Sequence, residues 1–316
     1  MALHPVIQAA LSSAAGLPAY HELPIALARA QAKLGYPKRA EPVAVGEVTD
    51  LQIPGPGGPL PLRIYRPVMQ GPSPIVVFFH GSGFVILDLD THDDICRRLC
   101  AGASCVVVSV DYRLAPENKF PAAPDDCLAA TRWVAAHAGE FGGDASRIVV
   151  AGDSAGGCLA AVTAQRIRDE GGPPLRGQLL WYPVTDYPTA IPNSYLAYGS
   201  GFGLTQIGIH WYWDQYLEDS SAGSHPHASP LRAVSTAGLP SAYVLVAEFD
   251  VLRDEGEAFA RRLVAGGVET VSRRWAAMNH GFLKYTGVIE DADAAMADAC
   301  TWLKSVFQRN SNFIQA

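Results

Sequence analysis

At 151–157 the chain reads Ala-Gly-Asp-Ser-Ala-Gly-Gly, after the strand-like run 147–150 and before the Ala-rich, helix-like segment 158–170. That is strand, tight turn and helix, with Ser154 at the tip and glycine two residues to either side. The spacing Gly152-x-Ser154-x-Gly156 is a steric specification. A strained turn lifts the serine hydroxyl above a sheet, and side chains at the flanking positions would collide with it.

A serine hydroxyl is a poor nucleophile near neutral pH, so it needs a base and a group that orients the base. Where this turn carries a catalytic serine, the partners follow in the order acid, then histidine. The run 241–247 (SAYVLVA) reads as a buried strand and leads into Asp250, with Asp254 and Glu255 close behind. An acid just past the carboxyl end of a strand is where open α/β sheets place working residues. Asp254 is the expected N-cap of a helix at 255–265, a competing use. Asn279-His280-Gly281-Phe282 follows another strand-like run at 268–275. His280 is the only histidine after both serine and acid, so the set is Ser154, Asp250 and His280. His225-x-His227 has metal-pair spacing but sits in a Ser/Gly/Pro-rich loop without a third ligand, and reads as solvated.

Upstream, the apolar strand 74–79 ends in His80-Gly81-Ser82-Gly83-Phe84. Acyl transfer passes through an oxyanion that needs preorganised N–H donors, and glycine lets a backbone approach that closely. The expected oxyanion hole comprises Gly81, Ser82 and Gly83, with the N–H of Ala155 after the nucleophile.

Taken together, these motifs resemble the hormone-sensitive-lipase-like esterases, the bacterial family IV type of the α/β-hydrolase superfamily. HGSGF at 80–84, DYRLAPE at 111–117, GDSAGG at 152–157, FDVLRDEG at 249–256 and HGF at 280–282 carry the likeness, which spans roughly residues 60 to 310. Ser82 stands where the family usually has its middle glycine. If φ there is positive, a β-carbon costs about 1 kcal/mol. The hydroxyl could donate to the oxyanion or order a water, or narrow the acyl pocket, or merely accompany a working backbone N–H. Cys158, where the family often has Asn, reads as a small buried residue.

Strands are expected at 43–53, 60–65, 74–79, 105–110, 147–151, 177–182, 241–247 and 268–275. Helices are expected at 91–102, 121–138, 155–170, 255–265 and 288–307. The first two strands form an antiparallel pair around PGPGGP, and the rest alternate with helices. The fold class is therefore α/β: an eight-stranded, mostly parallel sheet with helices on both faces. The chain is read as a single domain over 1–316. Two segments fall outside the alternation, about 1–42 and 185–230, and the resemblance implies that they form a helical cap. The second is rich in aromatics and carries an expected helix at 205–217. Candidate pocket residues are Phe84, Phe202, Trp211 and Trp213; alternatively the rings glue the cap to the body.

With 316 residues, 49% hydrophobic against 17% charged, the chain has material for a large core. A net charge of −7 argues against nucleic acid as a partner. No apolar run approaches the ~20 residues of a membrane span. The N-terminal stretch lacks Lys or Arg before its apolar part, so it reads as an amphipathic helix and not a signal peptide. Six cysteines at strand and helix positions suit a reducing, cytoplasmic compartment. No cofactor or metal is implied. The expected partner is a small-molecule ester, with the chain alone or as a homodimer. The expected activity is hydrolysis of short- to medium-chain carboxylic esters through an acyl-enzyme. The alternatives are amide or carbamate cleavage on the same triad, and a non-catalytic ligand-binding relative.

Overall fold

The computed structural model describes residues 2–37, 39, 41–69, 71–189 and 192–309. Positions 1, 38, 40, 190 and 191 of the two expected cap segments, and 310–316, lie outside the described residues. Strands β1 (Glu47–Gly55) and β2 (Gly58–Arg66) form the antiparallel hairpin, with Gly55 paired to Gly58 across the turn. Then come β3 (Ser73–Phe79), β4 (Val106–Val110), β5 (Gly143–Asp153), β6 (Leu175–Trp181), β7 (Ser241–Phe249) and β8 (Thr270–Asn279). They lie in one sheet in the order β1-β2-β4-β3-β5-β6-β7-β8. The β2–β4 pair is also antiparallel, and every pairing from β4 to β8 is parallel.

Helices α3 (Asp93–Ala103), α4 (Ala122–His137), α5 (Ala155–Glu170), α8 (Arg253–Ala265) and α9 (Glu290–Gln308) cover the sheet. The sequence of β3 explains why both faces are covered. Ile75, Val77 and Phe79 join a core with Ala130 of α4, Leu159 of α5 and Phe259 of α8. Val76 and Phe78 point the other way, into a core with Leu99 of α3 and Leu303 of α9. A strand buried on both faces is apolar at every position, not at alternate ones.

Register then fixes where the strands end. Phe79 lies opposite both Val110 and Gly152, and Phe249 lies opposite Asn279. The residues immediately beyond are His80, Asp153-Ser154, Asp250 and His280, so one edge of the sheet collects them all.

Outside the alternation, α1 (Pro5–Ser13) and α2 (Ile25–Leu34) precede the sheet, and α6 (Asn193–Tyr198) and α7 (Gln206–Tyr216) fall between β6 and β7. Arg29 of α2 donates to the carbonyls of Val85 (2.8 Å) and Ala115 (2.9 Å) and pairs with Glu117. Lys33, one turn on, pairs with Asp88. On α7, Tyr216 stacks on Phe84 with ring centroids 3.8 Å apart.

Candidate active site

Ser154 occupies the turn between β5 and α5 with φ 56° and ψ −121°, a region that costs a non-glycine residue about 1–3 kcal/mol. The surroundings over-determine it. Its N–H donates to Trp181 (2.8 Å), and its carbonyl accepts from Cys158 and Val184 (3.1 Å each). The flanking glycines are obligatory: a β-carbon on Gly156 would strike the Phe79 carbonyl, and one on Gly152 would strike that of Gly156.

His280 Nε2 lies 2.9 Å from Ser154 Oγ, and its Nδ1 lies 2.8 Å from Asp250 Oδ2. Asp250 is 1% exposed, and its other oxygen accepts the Leu252 N–H at 2.9 Å. With the ring proton assigned to Nδ1, facing Asp250, Nε2 is free to accept from the serine hydroxyl. Tyr182 presents its ring edge-on to His280 at 4.9 Å. Asn279 donates to the Phe202 carbonyl (2.9 Å), fixing the residue before the histidine.

Neither competing acid is bonded to His280. Asp254 is not an N-cap either. Helix α8 starts two residues before the expected 255, at Arg253, and the Asp254 carboxylate accepts the Ser194 N–H (2.8 Å) and pairs with Arg253. Glu255 is buried; its carboxyl accepts from the N–H of Thr185 (2.7 Å) and Asp186 (3.3 Å) and the hydroxyl of Tyr195 (3.1 Å). Burial pushes its pKa up to about 8 against those three donors.

The loop 80–84 is tied to the residue before Ser154, and here one expectation changes. The Gly81 N–H donates to Asp153 Oδ1 at 2.7 Å, so it positions the loop and is not an oxyanion donor. The N–H groups of Ser82 and Gly83 have no acceptor among the described residues. That of Ala155, first in α5, has no partner within the helix. Ser82 has negative φ; positive values fall at Gly83 (54°) and Phe84 (66°), so its β-carbon carries no such penalty.

Three groups that the sequence motifs did not single out support this loop. Asp153 is 3% exposed, and His92 Nε2 stands 3.2 Å from its Oδ1, poorly aligned for a hydrogen bond. Burial alone would raise the Asp153 carboxyl, but His92 and the Gly81 N–H hold it below the ordinary carboxylate range. Tyr112, from the DYRLAPE stretch, stacks on His80 at 4.5 Å and donates to the His80 carbonyl at 2.6 Å. Burial beside His92 pushes the His80 imidazole down to about 3, so it stays neutral. Asp153 and Tyr112 carried a sequence signal, their places within GDSAGG and DYRLAPE; His92 carried none.

The expected pocket residues divide. Phe84 and Trp213, each 2% exposed, pack with Tyr216 inside the protein. Indole and phenyl groups at 3.6-residue spacing face whatever lies beneath the helix, and beneath α7 lies the body. Phe202 stacks on Phe249 at 5.2 Å, beside the Asn279 contact. Trp211 is partly buried and edge-on to Tyr212 at 5.0 Å. Tyr212 itself, absent from the expected set, lies directly over Gly83, where a β-carbon would strike its ring.

A family model for the alpha/beta hydrolase fold matches residues 76–284. Esterase LipI of Mycobacterium tuberculosis is 46% identical over 253 residues, covering 78% of each chain. An ethyl acetate hydrolase of Pseudomonas putida is 37% identical over 246 residues, covering 76% of each. The crystal structure of a thermostable esterase from Pseudomonas putida superposes with a TM-score of 0.91 at 39% identity, covering 98% of this chain and 99% of that one. Ordered motifs, strand order and overall shape agree, and this chain belongs to the alpha/beta hydrolase fold family, in its hormone-sensitive-lipase-like branch.

Proposed function

We propose that the protein is a serine carboxylesterase for short- to medium-chain acyl esters, with Ser154 as nucleophile, His280 as base and Asp250 as its orienting acid. The observation that carries this reading is the unbroken contact Ser154–His280–Asp250 beside N–H groups left without acceptors. His280 takes the Ser154 proton as Oγ attacks the ester carbonyl. The N–H groups of Ser82, Gly83 and Ala155 receive the oxyanion, each worth about 3 kcal/mol of barrier. Collapse expels the alcohol, which takes its proton from His280, and leaves an acyl-Ser154. Water, deprotonated by His280, releases the acid.

The short-chain preference is supported by the filled interior at Phe84 and Trp213, by Tyr212 over the oxyanion loop, and by a relative named for ethyl acetate. In this reading segments 1–42 and 185–230 cap the site. No helix among the described residues is long and apolar enough to cross a membrane. Six buried cysteines without a disulfide support a cytoplasmic location.

The test is Ser154→Ala assayed on p-nitrophenyl butyrate, with phosphonate labelling of the wild type followed by peptide mapping. Turnover is expected to fall by ~10⁶-fold, with label on Ser154 alone. Residual activity above about a thousandth of wild type, or label elsewhere, overturns the assignment.

A further inference from the structure

We propose that the Ser82 side chain serves the reaction as a positioning residue, the middle link of a one-way hydrogen-bond chain through Tyr112 that sets the two oxyanion peptides. The inference rests on the esterase reading and deepens its oxyanion site.

Three short contacts define the chain. Phe84 N lies 2.7 Å from Ser82 Oγ, Ser82 Oγ lies 2.6 Å from Tyr112 Oη, and Tyr112 Oη lies 2.6 Å from the His80 carbonyl oxygen. Both ends have fixed polarity. A backbone N–H only donates and a carbonyl only accepts. The single phenolic proton of Tyr112 therefore goes to His80, and the Ser82 proton must go to Tyr112. The order is Phe84 N–H to Ser82 O–H to Tyr112 O–H to His80 C=O, with every proton assigned.

Two consequences follow. First, the Ser82 hydroxyl has no proton left for an oxyanion, although its residue carries an oxyanion N–H. Second, the chain starts at one end of the 80–84 loop and finishes at the other, so the peptides of Ser82 and Gly83 are held between its ends. Its fixed post is Tyr112, which is 1% exposed and stacked on His80. The chain stays neutral across the working pH range, since burial raises the Tyr112 hydroxyl well above its ordinary value. The strut matters here because Gly83 and Phe84 both hold positive φ, and Phe84 does so at the cost of its side chain. A glycine at 82 leaves the Phe84 N–H buried with nothing to receive it.

The test uses Ser82→Ala, Tyr112→Phe and the double variant, with kcat, KM, thermal melting and the Ki of a trifluoromethyl ketone that forms the tetrahedral adduct on Ser154. Each single change is expected to lower kcat about tenfold with KM within about twofold, the size of one buried hydrogen bond. Ki should rise by the same factor as kcat/KM falls. The double variant should be no worse than the worse single one, because both cut one chain. The proposal is overturned if Ser82→Ala alone costs ~10²-fold or more and multiplies with Tyr112→Phe, as a direct oxyanion donor would. It is equally overturned if melting temperature falls while kcat and Ki stay put. An inactive wild type, or an active Ser154→Ala, would instead overturn the esterase reading itself.

Discussion

Glu255 shows how a buried side chain couples the site's surroundings to pH. Its pKa, ordinarily 4.5, is pushed up to about 8 by burial, against donors from Thr185, Asp186 and Tyr195. A carboxyl whose folded pKa exceeds its unfolded one contributes stability that is lost as pH rises from about 4.5 to about 8, because over that window the unfolded chain sheds a proton that the folded state keeps. Wild-type stability is therefore expected to decline across that window. Glu255→Gln, which keeps an acceptor for Thr185 and needs no charge, should flatten the decline; urea midpoints at pH 5, 7 and 9 measure it. An unchanged slope would mean that Glu255 stays ionised in the fold. Residues of this kind mark the limit of what the sequence discloses. Ser154, Asp250 and His280 could be singled out because their chemistry demands an order along the chain. His92 could not, since an isolated histidine ahead of a helix has no pattern until folding sets it beside Asp153. The Gly81 N–H fell outside pattern reading for a related reason: a glycine-rich loop advertises close approach, not which of its amides is already engaged.

Helix α2 is short and carries few buried side chains, Ala28 and Ala32, yet it reaches the loop next to the oxyanion peptides through Arg29. That guanidinium holds the carbonyls of Val85 and Ala115 together with the Glu117 carboxylate. Hydrogen bonds to a charged group are worth about 1.5–3 kcal/mol. Arg29→Ala is expected to cost about 2 kcal/mol in urea unfolding and to speed tryptic cleavage after Lys33. Unaltered cleavage would show that α2 docks without it. Such helices were poorly legible because amphipathicity marks a buried face without naming what covers it. In the same way the sequence marked Phe84 and Trp213 as apolar without naming Tyr216, against which both rings pack. The strands were easier. A run such as 74–79, apolar throughout, admits little except a strand covered on both sides, and β3 is that strand. Boundaries were less exact: β5 begins at Gly143, four residues before the expected start at 147, and passes through the less buried Asp144-Ala145-Ser146-Arg147 before its apolar stretch.

At the scale of the whole molecule, the rings of Phe84, Trp213 and Tyr216 pack together beneath α7, which supports the proposed preference for short acyl chains. Activity on p-nitrophenyl butyrate should therefore exceed that on the palmitate ester by about tenfold or more in kcat/KM, the effect of about 1.4 kcal/mol. Equal or greater activity on palmitate would show that a long acyl path exists. The order of the strands has a different kind of consequence. Ser154 sits 126 residues before His280 and at the end of β5, in mid-sheet, whereas the histidine arrives on the edge strand β8. On the proposed mechanism the nucleophile leaves the ribosome long before its base, so a growing or truncated chain is expected to carry an inert serine. Catalytic competence is a certificate that the last strand has been added, and a chromogenic ester can serve as a stopwatch for completion of the domain.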